Sequence, residues 1–168
     1  ARENVQSAIS AIMSELASRA EIIGDKFLPE VWLTLLKERE ENVVLGEALT
    51  QWAKASKKPI VLLIDEIDAL IGDSLISVLR QLRAGYDKRP TLFPQSIVLC
   101  GLRDVRDYRL HTDKSKVGVT SGSPFNIKAK SLRLGDFTQE EVEILYQQHT
   151  AETGQVFEEG VLPLVWEL

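Results

Sequence analysis

Cysteine and histidine are almost missing from this sequence, which has 168 residues, one cysteine and two histidines. The single thiol, Cys100, cannot form a disulfide within the chain, so the fold is held together without one. This composition favours a reducing compartment and predicts a cytoplasmic protein. Cys100, His111 and His149 are also too few to build a zinc site of the usual four-ligand kind.

Long apolar runs and a strong excess of one charge are missing as well. The longest clean apolar run covers residues 60–64, whereas a membrane-spanning helix needs roughly 18 consecutive apolar residues. Lysine and arginine total 20 against 25 aspartate and glutamate residues, which gives a net charge of −5. The sequence therefore predicts no membrane span, and its charge argues against a nucleic acid partner.

An initiator methionine is missing too, because the chain begins with Ala1 and its only methionine is Met13. The last residue, Leu168, falls within a helical pattern of apolar residues. We therefore interpret the sequence as a fragment of a longer protein.

What is present is the composition of an ordinary globular domain, with 44% hydrophobic and 27% charged residues. In the first 57 residues the apolar side chains recur every three or four positions, which predicts amphipathic helices. These helices cover residues 2–23, a stretch that starts near Pro29, and residues 44–55. Nothing in them signals chemistry, so we interpret them as packing elements.

The hydrophobic pattern changes after residue 58. Residues 60–64 form a continuous apolar run, and residues 96–101 form a similar one. Such runs are typical of strands that are buried on both faces of a parallel sheet. A helix is predicted between them, over residues 69–84.

Regular patterns resume near the end of the chain, after a long polar stretch. Residues 131–134 predict a third, shorter strand. Thr138 and Glu141 have the spacing of a capping box, which predicts the start of a helix, and Gly154 marks its end. Strands that alternate with helices in this way predict an α/β fold with a mainly parallel sheet.

The feature with the most chemical content is the acidic pair Asp65 and Glu66, which follows the first predicted strand. In open α/β sheets, ligands bind outside the carboxyl ends of the strands. The side chains of neighbouring residues diverge, so we expect two tasks: Asp65 binds Mg²⁺ at a nucleoside triphosphate, and Glu66 activates the attacking water. The alternative is that Asp65 caps the next helix and Glu66 lies at its positive end.

The sequence around this pair resembles a known family. An apolar strand followed by Asp-Glu resembles the Walker B box of P-loop NTPases, and residues 63–70 are similar to the version in AAA+ and STAND-type ATPases. Residues 96–104 resemble the strand of that group that ends in a polar sensor residue. Residues 131–141 are similar to its closing strand and first lid helix.

Two further segments, residues 80–86 and 101–109, resemble a bacterial set of uncharacterised AAA-like ATPases. The resemblance covers residues 58–168, while the helices of residues 1–55 match only by position, as a variable insert. It implies a P-loop NTPase core with three layers and a mainly parallel sheet. ATP and Mg²⁺ would be its ligands.

The resemblance also implies a division of the chain and of its site. Residues 1–135 would be a partial core, with a helical insert at 1–57 and the Walker B and sensor strands at 58–135. Residues 136–168 would begin a helical lid. Asp65 would hold Mg²⁺, Glu66 would be catalytic, and Arg103 would sense the phosphate, although Arg103 is about equally compatible with pairing to a neighbouring aspartate.

One part of the family pattern is missing. The sequence contains no Gly-x-x-x-x-Gly-Lys-Ser/Thr segment, the loop that holds the phosphates in P-loop NTPases. The family places this loop and its strand upstream of Ala1, so we expect the chain alone to be inactive.

Without that strand, the resemblance implies an exposed edge beside residues 96–101. We expect the last strand, another protein or a second copy to cover it. Two other functions stay open at this point. One is a nucleotide-gated signalling switch, and the other is a protein-interaction domain without catalysis.

Overall fold

The structure is a computed structural model, and it describes residues 4–102, 130–158 and 160–167. The described residues form two compact units, and the second begins at Lys130. The first unit contains α1 (Val5–Ile22), α2 (Phe27–Glu38), α3 (Val44–Ala55), β1 (Val61–Ile64), α4 (Gly72–Ala84) and β2 (Ser96–Leu99). The second contains α5 (Gln139–Thr153) and α6 (Val161–Glu167). Among these described residues, no helix combines the length and apolar character needed to cross a membrane.

Side chains at the helix ends explain where the first helices begin. The Asn4 side chain accepts a hydrogen bond from the Ser7 N–H (2.8 Å) and so caps α1. One carboxylate oxygen of Asp25 accepts from the Phe27 N–H (2.9 Å) at the start of α2. The other accepts from the indole N–H of Trp52 (2.9 Å), which ties the start of α2 to α3. The three helices lie at the predicted places.

Helices α1 to α4 and one face of the sheet enclose a single apolar core. The largest side chains that are almost completely buried there are Phe93, Ile9, Met13, Leu28, Leu45, Leu49, Ile67, Leu79 and Leu82. Phe93 and Ile67 lie in the connections next to α4, and the others come from helices α1 to α4. The strands contribute Leu62, together with the half-buried Ile64, Ile97 and Leu99.

A buried glutamine joins α3 to α4. The side-chain oxygen of Gln81 accepts hydrogen bonds from the N–H groups of Leu45 (2.8 Å) and Gly46 (3.1 Å), in the first turn of α3. Its amide nitrogen donates to the Glu41 carbonyl (3.0 Å) and to the Ser77 hydroxyl (3.2 Å). Gln81 therefore caps α3 from a neighbouring helix.

The sheet of the described residues has two parallel strands, β1 and β2, joined through α4. Val61 pairs with Ser96 and Ile64 with Leu99. The α/β class and the parallel pairing are as predicted. The prediction that the strands are buried on both faces is wrong: Leu62 is 4% exposed, whereas Leu63 is 69% exposed.

The reason is that the described helices cover one face of the sheet only. Paired residues in a parallel sheet point to the same side, so Leu63 shares its face with Val61 and Val98. All three are exposed. An apolar run predicts a strand, but it does not show whether a second layer of helices is at hand to cover it.

The second unit confirms one prediction and corrects another. The Thr138 hydroxyl accepts from the Glu141 N–H, the Glu141 carboxylate accepts from the Thr138 N–H, and Gly154 ends α5 with φ 75°. The strand predicted at residues 131–134 is not formed. Residues 130–138 have no regular secondary structure. A short segment of this kind is not sufficient to specify a strand, because strand formation also depends on residues distant in sequence.

Candidate functional site

The carboxyl ends of β1 and β2 lie side by side because the two strands are parallel. The chain leaves β1 at Asp65 and Glu66 and leaves β2 just before Gly101. The side chains of Asp65 and Glu66 are exposed. A shallow, open depression at this edge is lined by Asp65, Glu66, Asp68, Ala69, Gly101 and Leu102. Asp65 and Glu66, predicted as site residues, therefore lie together at the expected end of the sheet.

The backbone at Glu66 is unusual. The Ile64 carbonyl accepts from the Cys100 N–H (2.9 Å), and the Cys100 carbonyl accepts from the Ile67 N–H (3.0 Å). In a regular parallel ladder, the donor to the Cys100 carbonyl would be the N–H of Glu66, two residues after Ile64, rather than that of Ile67. The chain thus contains one extra residue at this point, a β-bulge.

Glu66 accommodates the bulge in the left-handed conformation, with φ 52° and ψ 39°. It is the only non-glycine residue with positive φ in the described part of the chain. For an L-residue this conformation costs roughly 1–2 kcal/mol. The sequence carries no signal for it, because glycine and asparagine are the residues that usually mark such positions.

The hydrogen bonds do not support the alternative role of the pair as a helix start. The carboxylate of Asp65 accepts from the Glu66 N–H (2.8 Å) rather than from a later turn. Glu66 precedes only one turn of 3₁₀-helix, Ile67–Ala69. Helix α4 begins later than predicted, at Gly72, and its preceding residue, Ile71, makes no side-chain capping bond.

The charge at this edge is negative. Among the residues that the structure describes, no cationic side chain forms an ion pair with it. The ion pair found within the described ranges, Arg19 with Glu15, lies on α1. Asp65, Glu66 and Asp68 have no such partner there. A carboxylate group that lacks a cation is available to a bound cation or to a proton in transfer.

The residues present fit Mg²⁺ in one mode only. No group of three or more His, Cys, Asp or Glu side chains among the described residues is arranged to hold a metal ion. Mg²⁺ often binds through one or two carboxylates, with phosphates and water as its other ligands. Asp65 fits as one such ligand in a Mg²⁺–nucleotide complex, and the site does not fit an ion bound by protein ligands alone.

The end of β2 approaches the turn after Glu66 very closely. A Cβ atom added to Gly101 would lie 2.8 Å from Oδ1 of Asp68 and 3.1 Å from Cγ2 of Ile67. Sequence reasoning assigned no role to Asp68 or Gly101. Asp68 could have been noticed from its place three residues after Asp65, whereas the contact with Gly101 depends on the register of the two strands.

The third predicted site residue, Arg103, lies outside the described residues. Its assignment to phosphate sensing therefore stays a prediction.

A second depression lies far along the chain from the acidic pair, between α1 and the connection from α2 to α3. The charged side chains that line it are Lys37, Arg39, Glu40 and Glu41. Two cations and two anions give no preference for a ligand of either charge. We assign no chemistry to it.

Comparison of the chain with protein-family models, with curated proteins and with solved structures gives no match in any of the three.

Proposed function

We propose that this chain is part of an ATP-binding and ATP-hydrolysing module similar to the AAA+ and STAND ATPases. The observation that carries the proposal is the pair of exposed carboxylates, Asp65 and Glu66, at the carboxyl end of a parallel strand. Two supporting facts are that the pair lacks a described cationic partner and that Glu66 is in a left-handed conformation. Non-glycine residues in such conformations occur preferentially at functional sites.

In this proposal each acid has its own task. Asp65 contributes one ligand to Mg²⁺, which when bound offsets the negative charge of the nucleotide phosphates. Glu66 orients a water molecule and accepts its proton, and Arg103 contacts the phosphate. The Glu66 N–H donates to one Asp65 oxygen, and in this proposal the other oxygen binds the Mg²⁺.

The proposal needs a phosphate-binding loop, and these 168 residues contain none. The loop would have to come from protein outside them, and the chain by itself would be inactive. The proposed organisation is a partial P-loop NTPase core at residues 1–135 and the start of a lid at residues 136–168. We propose a cytoplasmic location, in keeping with the single cysteine.

The test is substitution of each acid in the protein that carries the loop. Glu66→Gln keeps the size of the side chain but removes the base, so we expect kcat for ATP to fall by about 100- to 10,000-fold with nucleotide binding retained. Asp65→Asn should instead weaken the binding of Mg²⁺–ATP. Steady-state hydrolysis and calorimetric titration measure the two effects.

Glu38→Gln is the matched control, because Glu38 is an exposed acid at the end of α2. It should hydrolyse ATP at the wild-type rate. Wild-type turnover by Glu66→Gln would rule out Glu66 as the base.

A further inference from the structure

The close contact at Gly101 joins the end of β2 to the turn that follows the acidic pair. The two atoms that a Cβ at Gly101 would meet most closely, Oδ1 of Asp68 and Cγ2 of Ile67, belong to the turn Ile67–Ala69. Any side chain at residue 101 would therefore press on this turn in two places.

The two contacts do not yield equally. Asp68 is partly exposed, so its carboxylate can rotate away. Ile67 is 2% exposed and its side chain belongs to the core cluster. Its N–H is also bonded to the Cys100 carbonyl. In a close-packed interior, pressure on Ile67 favours a small shift of the turn relative to the end of β2.

A shift of this turn reaches Glu66 directly, because Glu66 is the residue before Ile67. The left-handed conformation of Glu66 is held from both sides, by the bond from Cys100 to Ile64 and by the bond from Ile67 to Cys100. Strained conformations of this kind persist only where the surrounding structure imposes them.

We propose that Gly101 is a positioning residue for the acidic pair. Its missing side chain lets the turn Ile67–Ala69 pack against the end of β2, and this packing holds Glu66 in the conformation that presents its carboxylate. The effect on the backbone is independent of any activity, whereas the effect on catalysis rests on the proposed ATPase function.

The first test uses the 168-residue chain and Gly101→Ala, with amide hydrogen exchange followed by NMR. We expect exchange at the Ile67 and Cys100 amides to be about tenfold faster, because both bonds of the bulge are weakened. Exchange at a core amide of α3, such as Leu49, should not change. Gly135→Ala is the matched control, since a Cβ at Gly135 meets no atom within 4 Å.

Two results of this experiment would overturn the proposal. One is unchanged exchange at Ile67 in Gly101→Ala. The other is a return to wild-type exchange in the double variant Gly101→Ala with Asp68→Ala, which would show that the contact with Asp68 alone carries the effect.

The second test uses the intact protein that carries the phosphate-binding loop. Gly101→Ala should lower kcat by up to about 100-fold through misplacement of Glu66, with KM for ATP almost unchanged. An active wild type with a fully active Gly101→Ala variant would overturn the catalytic part. An inactive wild type would instead defeat the proposed function, and the exchange results would still decide whether Gly101 positions the pair.

Discussion

At Glu66 the backbone adopts a conformation that is unfavourable for a side chain with a Cβ atom. A glycine there would remove the strain, but it would also remove the carboxylate. The hydrogen bonds of Ile67 and Cys100 on either side of the bulge offset the cost. The site thus combines a local conformational cost with an acid that is exposed to solvent.

The Gln81 side chain makes four hydrogen bonds and joins α3 to α4, so the loss of its side-chain amide should destabilise the first unit. Gln81→Leu removes the acceptor for two N–H groups of α3 and leaves the Glu41 carbonyl and the Ser77 hydroxyl without this donor. A buried polar group without a partner costs about 1–3 kcal/mol. We expect the free energy of unfolding to fall by about 3 kcal/mol, measured by urea denaturation.

Gln6→Leu provides the comparison for this variant. Gln6 is exposed on α1, and substitutions at such positions change stability by about 0.5 kcal/mol or less. Equal midpoints for the two variants would mean that the hydrogen bonds of Gln81 contribute nothing.

The two sides of β1 should respond very differently to the same substitution. Leu62→Ala leaves a cavity in the core and should lower the free energy of unfolding by about 2–5 kcal/mol. Leu63→Ala removes an exposed side chain and should cost about 0.5 kcal/mol or less. Thermal and urea unfolding of the 168-residue chain measure both.

A large decrease in the free energy of unfolding for Leu63→Ala would contradict the finding that the described helices cover only one face of the sheet. It would show that something in solution buries the face formed by Val61, Leu63 and Val98, such as a second copy of the chain. The same pair of variants at several protein concentrations separates that case from burial within one chain.

The success of sequence reasoning at this scale differs from element to element. The third helix was predicted at residues 44–55, as observed, and the capping box of Thr138 and Glu141 is formed as expected. These features depend on local spacing and on side chains a few residues apart. The placement of Asp65 and Glu66 at the end of a parallel strand was also predictable, because the two acids directly follow the apolar run of residues 60–64.

The features that could not be predicted depend on residues distant in sequence. The strand predicted at residues 131–134 is not formed, and a short segment does not show whether another strand lies beside it. The exposed face of β1 depends on which layers are present, and the bulge at Glu66 depends on the register with Cys100. Local patterns contain none of this information.

For the whole molecule, the lack of a phosphate-binding loop predicts weak nucleotide binding. Asp65 can reach a nucleotide only through Mg²⁺, and no motif in the sequence supplies the amides and lysine that hold phosphates. We expect calorimetric titration of the 168-residue chain with Mg²⁺–ATP to show no saturable binding, and no release of phosphate.

Under the proposed function, a longer protein that supplies the loop would be the positive control for this titration and should bind. A dissociation constant near 1 μM for the 168-residue chain, about −8 kcal/mol of binding free energy, would contradict the prediction. Such a result would require a nucleotide site of a different kind in these residues.

The glutamine between α3 and α4 also has a consequence for the order of folding. The residue before α3, Val43, makes no capping bond of its own, and the cap comes from Gln81, 36 residues beyond Leu45. The first N–H groups of α3 therefore have no hydrogen-bond acceptor from Gln81 until α4 has docked. Short helices without caps are only marginally stable in water. The two helices should appear together in the folding transition state, after the chain has closed a loop that contains the whole of β1. The same polar contact that stabilises the finished core thus makes an early, independent α3 unfavourable and couples α3 to the strand that carries the acidic pair.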